Sequence, residues 1–140
     1  MERILLATDG SSSAARALEV AVSLAEDTNA VLDIVTVRPR PIAGRAGSGG
    51  PINDLDAHGG AERVLDQAAA HVAALGRTGI IHALHGDPAE EIGSLAGTLG
   101  ADLIVVGSRG HGPIVGKLMG SVSPALATHS PIPVTIVREV

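Results

Sequence analysis

The chain has 140 residues with a formal net charge of −5, and it contains no cysteine, phenylalanine, tyrosine or tryptophan. That length suits one compact domain, the acidic balance and missing aromatic platforms argue against nucleic acid as a partner, and zero cysteine removes disulfide, thiolate and zinc-finger chemistry. No apolar run approaches the roughly 20 residues that span a bilayer, and Met1 to Gly10 lacks a basic segment ahead of a long apolar core, so a cytoplasmic protein without membrane contact is expected.

Arg3 to Thr8 (RILLAT) is a short apolar run stopped by Asp9-Gly10-Ser11, the pattern of a strand covered on both faces and ended by a turn. Ala14, Ala17, Leu18, Ala21, Leu24 and Ala25 then recur at helical spacing; Ser11 to Ser13 can cap the start and Asn29 suits the exit. Val31 to Val37 reads as the second strand. Arg38 to Asn53 is rich in glycine and proline without periodicity. It is expected to be a mobile loop, with Arg38, Arg40 and Arg45 solvated on it rather than closing over phosphates.

Ala57, Ala61, Val64, Leu65, Ala68, His71, Val72 and Leu75 form one helical stripe, which Gly76 ends. Ile80 to Leu84 makes a third strand, and His82 and His85, three apart, fall on opposite faces and do not form a metal pair. Asp87-Pro88-Ala89-Glu90 supplies a cap residue, a proline at the first helical position and a glutamate three after the cap. The helix that follows buries Ile92, Leu95, Ala96 and Leu99, is weakened by Gly93 and Gly97, and closes at Gly100. Asp102 to Val106 is the fourth strand, Ser121 to His129 the last helix, and Val134 to Val137 a fifth strand beyond Pro131 and Pro133.

Strands alternating with helices of this length predict an α/β fold with a mainly parallel sheet and helices on both faces. In such sheets ligands bind beyond the carboxyl ends of the strands, where the strand order reverses. The polar exit of the first strand (Asp9-Gly10) and the glycine-rich exit of the fourth (Gly107 to Gly112) mark those two as neighbours.

Gly107 to Ser123 reads GSRGHGPIVGKLMGSVS, with five glycines from Gly107 to Gly120. Glycine costs about 0.5–1 kcal/mol against alanine in regular structure, so this density implies that something approaches the backbone closely. A strand, a glycine loop and a helix N-terminus carrying Ser121 and Ser123 make an anion site suited to phosphate. It is not a P-loop, because Gly116-Lys117 is followed by Leu118 and the position five before Gly116 is His111. Nor is it a dinucleotide fingerprint, which belongs after the first strand, where only Gly10 stands.

What remains is Gly107, two residues, Gly110, nine residues, Gly120-Ser121. This pattern resembles the nucleotide-binding branch of the universal stress protein family. Further matches stand in order at Asp9, Thr36-Val37, Gly86-Asp87-Pro88 and Pro131 to Val137, so the resemblance covers essentially the whole chain. It implies a single Rossmann-like domain over residues 1–140, with an open five-stranded parallel sheet in the order 3-2-1-4-5 and ATP, with magnesium or manganese, across strands 1 and 4.

By matching position, the resemblance implies that Ala7 and Thr8 flank the adenosine and that Asp9 lies by the ribose and a metal ion. Val37 presents backbone groups to adenine. Gly107 and Gly110, with Ser108 and Arg109 between them, line the ribose and phosphates, and Gly120, Ser121, Val122 and Ser123 hold the β- and γ-phosphates. It also implies homodimers through the last strand. A chain without aromatic residues has to hold adenine between aliphatic side chains. His111, Pro113 and Lys117 depart from commoner members; His111 and Lys117 are phosphate contacts or solvated loop residues.

No residue of the motif is an evident general base for the γ-phosphate. The leading expectation is therefore a regulatory adenine-nucleotide sensor in stress response, with no catalytic residue and little or no hydrolysis. The alternatives are a slow ATP hydrolase or phosphotransferase working through Ser121, Ser123 or His111, and a ligand-free dimeric interaction module paired through PIPVTIV.

Overall fold

The computed structural model describes residues 1–38, 60–108 and 118–138, with the side chains of 118–121 outside that set. Among these residues strands and helices alternate as β1 (Arg3–Ala7), α1 (Ser12–Thr28), β2 (Val31–Arg38), α2 (Ala61–Ala74), β3 (Gly79–His85), α3 (Pro88–Leu99), β4 (Leu103–Gly107), α4 (Leu118–His129) and β5 (Val134–Val137). All the strand pairings are parallel, in the order β3-β2-β1-β4-β5. This is the order that the resemblance implies, and it places β1 beside β4.

Period-two alternation sends even and odd positions of each strand to opposite faces. Ile4, Leu6, Leu32, Ile34 and Val105 pack under α1 and α2 with Leu18, Ala21, Leu65 and Val72. Leu5, Ala7, Val35, Ile104 and Val106 pack under α3 and α4 with Ile92, Ala96, Val122 and Leu126. Both faces of β1 are therefore covered, which is why RILLAT is apolar throughout instead of alternating. Each fully buried Leu, Ile or Val contributes roughly 1.5–3 kcal/mol of transfer free energy. Small alanines on α1 let that helix lie close against the sheet without any aromatic filler.

The helix ends follow the residues expected to make them. Ser11 caps α1 by accepting a hydrogen bond from the Ala14 amide at 3.2 Å, and Asn29 closes the helix in the left-handed region at φ 56°. Asp87 caps α3, with its carboxylate accepting from the Glu90 amide at 3.1 Å, and Gly100 ends the helix at φ 70°.

Several boundaries differ from the sequence expectation. β1 stops at Ala7, leaving Thr8 in the turn, while β2 runs one residue further to take in Arg38. β4 is shifted by one residue, to Leu103–Gly107. α2 begins at Ala61, so Ala57 and residues 39–53 of the expected loop lie outside the described residues. The expected start of α4 at Ser121 is corrected to Leu118. A start at Ser121 would keep Pro124 close to the first turn, where proline is best tolerated, but Leu118 and Met119 are good helix formers and extend the helix by a turn. Pro124 thus lies inside α4 and removes the helical bond to the carbonyl of Gly120.

One charged cluster crosses the sheet. The side chain of Asp33, in the middle of the apolar run of β2, is fully buried on the α3/α4 face. Its Oδ2 accepts from Arg3 Nε at 2.6 Å, while Oδ1 accepts from Arg3 Nη2 at 3.2 Å and pairs with His82 Nε2 at 2.8 Å. Burial alone would push the Asp33 carboxyl up; the hydrogen bonds from Arg3 and His82 outweigh that and hold it below the usual carboxylate range. Beside it, Asp102 Oδ2 accepts from the amides of Glu2 and Arg3 at 2.7 and 3.0 Å, and these bonds lower its carboxyl as well. His82 is therefore a structural partner of Asp33.

Candidate functional site

An open parallel sheet exposes a crevice at the carboxyl ends of its strands where consecutive connections leave in opposite directions, and here that point lies between β1 and β4. The chain leaves β1 through Thr8, Asp9 and Gly10, all tightly arranged. The Thr8 amide donates to the Val35 carbonyl at 2.9 Å, the Gly10 amide donates to Thr8 Oγ1 at 3.3 Å, and Gly10 takes φ 82°, a conformation that glycine adopts without steric cost. Asp9 Oδ1 accepts from the Ser11 amide at 2.9 Å, an Asx turn that steers the chain into α1.

The other oxygen of that carboxylate is the informative atom. Asp9 is 6% exposed, and its Oδ2 is buried without a hydrogen-bond partner. A buried carboxylate oxygen ordinarily finds a donor, because leaving it bare sacrifices its hydration with nothing in return. Here it marks the end of β1 as a place where a ligand's hydroxyl or amino group has an acceptor waiting.

Ala7, Thr8, Asp9 and Val37 come together. Ala7 stands opposite Val35 in the sheet, so Val37 projects two residues beyond the end of β1 toward the same edge. Its partly buried side chain packs against the α3/α4 core. A cavity of about 170 Å³ opens beside this turn, lined by Thr8, Gly10 and Ser11 together with Leu18, Val64 and His71 of the two covering helices. A larger groove, of about 470 Å³, runs between α3 and α4 and contains none of the candidate residues. The partnerless carboxylate, not cavity size, is what distinguishes the β1 edge.

From the other side, β4 ends at Gly107, and Ser108 continues the sheet by donating its amide to the Val137 carbonyl at 2.9 Å. Ser123 Oγ donates to the Gly107 carbonyl at 2.6 Å, which ties α4 to the end of β4, and Val122 is buried beneath. An α-helix beginning at Leu118 leaves the amides of its first turn without intrahelical acceptors, Gly120 the last of them. Arg109, Gly110, His111 and Lys117 lie outside the described residues.

Gly107 has a second reason to be glycine that its place in the motif did not reveal. A Cβ there would stand 2.6 Å from Ser13 Oγ, 2.8 Å from the Ala14 amide nitrogen and 2.8 Å from the Ser13 carbonyl carbon. The first turn of α1 therefore rests directly on the backbone of β4. A further residue that the sequence pattern leaves in the loop is Arg38, which ends β2 with a buried Nε that has no hydrogen-bond partner. The alternation of β2 carried one step further would have found it.

The profile of the universal stress protein family matches residues 1–138. The chain belongs to the universal stress protein family. It is 33% identical to the stress response protein NhaX of Bacillus subtilis over 98% of both chains, and 33% identical to the universal stress protein YxiE of the same organism over 97% of this chain and 98% of that one. A universal stress protein solved in complex with cAMP superposes with a TM-score of 0.75 at 29% identity, covering 99% of this chain and 98% of that one. As a family member the chain has the family's sheet order, and among its described residues no helix is long and apolar enough to cross a membrane.

Proposed function

We propose that this universal stress protein is a single domain that binds an adenine nucleotide at the carboxyl edge of β1 and β4 and acts as a regulatory sensor through nucleotide occupancy. The observation that carries the reading is the buried, partnerless Oδ2 of Asp9 at the point where the strand order reverses. Asp9 would accept from a ribose hydroxyl or the adenine amino group, with Ala7, Thr8 and Val37 as the neighbouring wall. Gly107, Ser108, Arg109 and Gly110 would line the ribose and phosphates. Gly120 would offer its amide and Ser121 its hydroxyl to the phosphates, with Val122 and Ser123 behind them. The cAMP held by the solved relative supports the ligand class.

ATP is the expected nucleotide. Magnesium or manganese would enter with the phosphates, beside Asp9. When bound, the cation would neutralise phosphate charge. Ser123 Oγ donates a hydrogen bond to the Gly107 carbonyl, an arrangement that favours holding a ligand over attacking one.

The test is to denature the purified protein, identify any released nucleotide, and titrate ATP, AMP and cAMP by calorimetry into wild type and Asp9→Ala. Loss of the acceptor should weaken adenine-nucleotide binding by about 10-fold, the worth of one hydrogen bond to a charged group. Unchanged affinity in Asp9→Ala would remove Asp9 from the site. The reading also includes a homodimer through β5, the sheet edge on which Ile136 is 41% exposed. Light scattering at micromolar concentration should give twice the chain mass, and a charged residue at Ile136 should halve it; a wild-type monomer would sink the dimer.

A further inference from the structure

Two buried side-chain atoms among the described residues lack hydrogen-bond partners, and both stand at the carboxyl edge of the sheet: Oδ2 of Asp9, just past β1, and Nε of Arg38, the last residue of β2. One is an acceptor and the other a donor, on neighbouring strands. Asp9 belongs to the nucleotide reading. Arg38 does not, since its place in the family motif carries no assigned role.

Arg38 stands opposite His85, the last residue of β3, and Nη1 of the guanidinium lies 3.5 Å from His85 Nε2, the outer limit of a hydrogen bond. Neither residue is ion-paired to a carboxylate among the described residues. The contrast with Arg3 is direct: that guanidinium is locked on Asp33 at 2.6 Å and has a structural role. A guanidinium cannot shed its proton, so a desolvated Nε without an acceptor is a cost that folding alone does not explain. The side chain that the guanidinium meets across the β2–β3 pair is the His85 imidazole, whose Nε2 can accept from Nη1, and not a carboxylate counter-ion. A buried guanidinium Nε that lacks an acceptor, beside an imidazole and with no carboxylate paired to it among the described residues, matches an oxyanion, which accepts a charge-assisted bond from it.

We propose that Arg38 and His85 form a second anion subsite, on the β2–β3 side of the cleft, that takes a phosphate-class oxyanion. It rests on the nucleotide reading only for the statement that the carboxyl edge is the ligand-binding edge. The oxyanion is either a phosphate carried by the nucleotide itself or a separate anion bound beside it.

The test uses the full chain labelled with ¹⁵N, following the Arg Nε–Hε and His ring signals by NMR while inorganic phosphate is added. The Arg38 Nε–Hε and His85 signals should shift saturably. Arg38→Gln should weaken the phosphate response of His85 by about 10-fold, and His85→Gln should weaken that of Arg38 less, since the guanidinium supplies the full charge. Phosphate shifts confined to the amides of Gly120 and Ser121, with Arg38 silent in the wild type, would overturn the subsite and leave the nucleotide reading standing. A chain that ignores AMP but keeps the Arg38 response would do the reverse. Repeating the phosphate titration at saturating AMP separates the sources: a persisting Arg38 shift identifies a separate anion, and its loss identifies the nucleotide's own phosphate.

Discussion

Asp33→Ala is expected to lower the unfolding free energy at neutral pH by about 3 kcal/mol, and the melting temperature by about 10 °C. Removing one member of a buried ion cluster is costlier than the cluster is beneficial, because the partners are left without their counter-charge. The Arg3 side chain is 30% exposed and can recover some hydration, which keeps the loss near the lower end of the usual range. Asp33→Asn should cost less, since its amide oxygen can still accept from Arg3 or His82. Urea unfolding of the three proteins checks the order.

The pH dependence distinguishes loss of charge from loss of packing. The folded-state pKa of Asp33 is depressed below 3.8, so its contribution is fully present above that value and disappears as pH falls through the lowered one. The gap between wild type and Asp33→Asn should therefore narrow as pH falls below about 4. A gap that does not narrow in acid would show that the carboxylate's charge is not what stabilises the sheet.

Gly107→Ala is expected to cost about 1–3 kcal/mol, the usual penalty for forcing an extra methyl into a filled space. The neighbours it would strike include the backbone of Ser13 and Ala14, which cannot rotate aside as a flexible side chain could. To make room, α1 has to move away from β4, and the Asp9–Ser11 turn that starts α1 moves with it. Stability and nucleotide affinity should therefore fall together, in thermal unfolding and in calorimetry. A variant that loses affinity at full stability would return Gly107 to the role of a ligand contact alone.

Much of the architecture was legible because each local signal agreed with the others. RILLAT could be read as a doubly covered strand because parallel strands are apolar on both faces, and Asp87-Pro88 announced a helix start because each residue satisfies or avoids one orphan amide. The start of α4 was misplaced because proline is best tolerated close to a first turn, and only the chain ahead of Pro124 decides whether a further turn is added. Arg38 was lost to the loop because its neighbours Pro39 and Pro41 would follow from either a strand end or a coil. The partners of Asp33 also lie beyond any local pattern: a lone acid in VLDIVTV is compatible with a paired charge or a strand edge, and the partners come from β1 and β3, 30 and 49 residues away.

By itself, then, the sequence determined the alternation of strands and helices, the caps, and through the spacing of Gly107, Gly110, Gly120 and Ser121 the family to which the chain belongs. These are properties of neighbours along the chain, written in periodicity and turn chemistry. Only the tertiary structure decided which polar atoms are satisfied. It closed Asp33 with Arg3 and His82, committed the hydroxyl of Ser123 to Gly107, laid α1 on the backbone of β4, and left Asp9 and Arg38 with a buried acceptor and a buried donor at one edge of the sheet. Hydrogen bonding and desolvation depend on what folding brings together, and no local pattern carries that information.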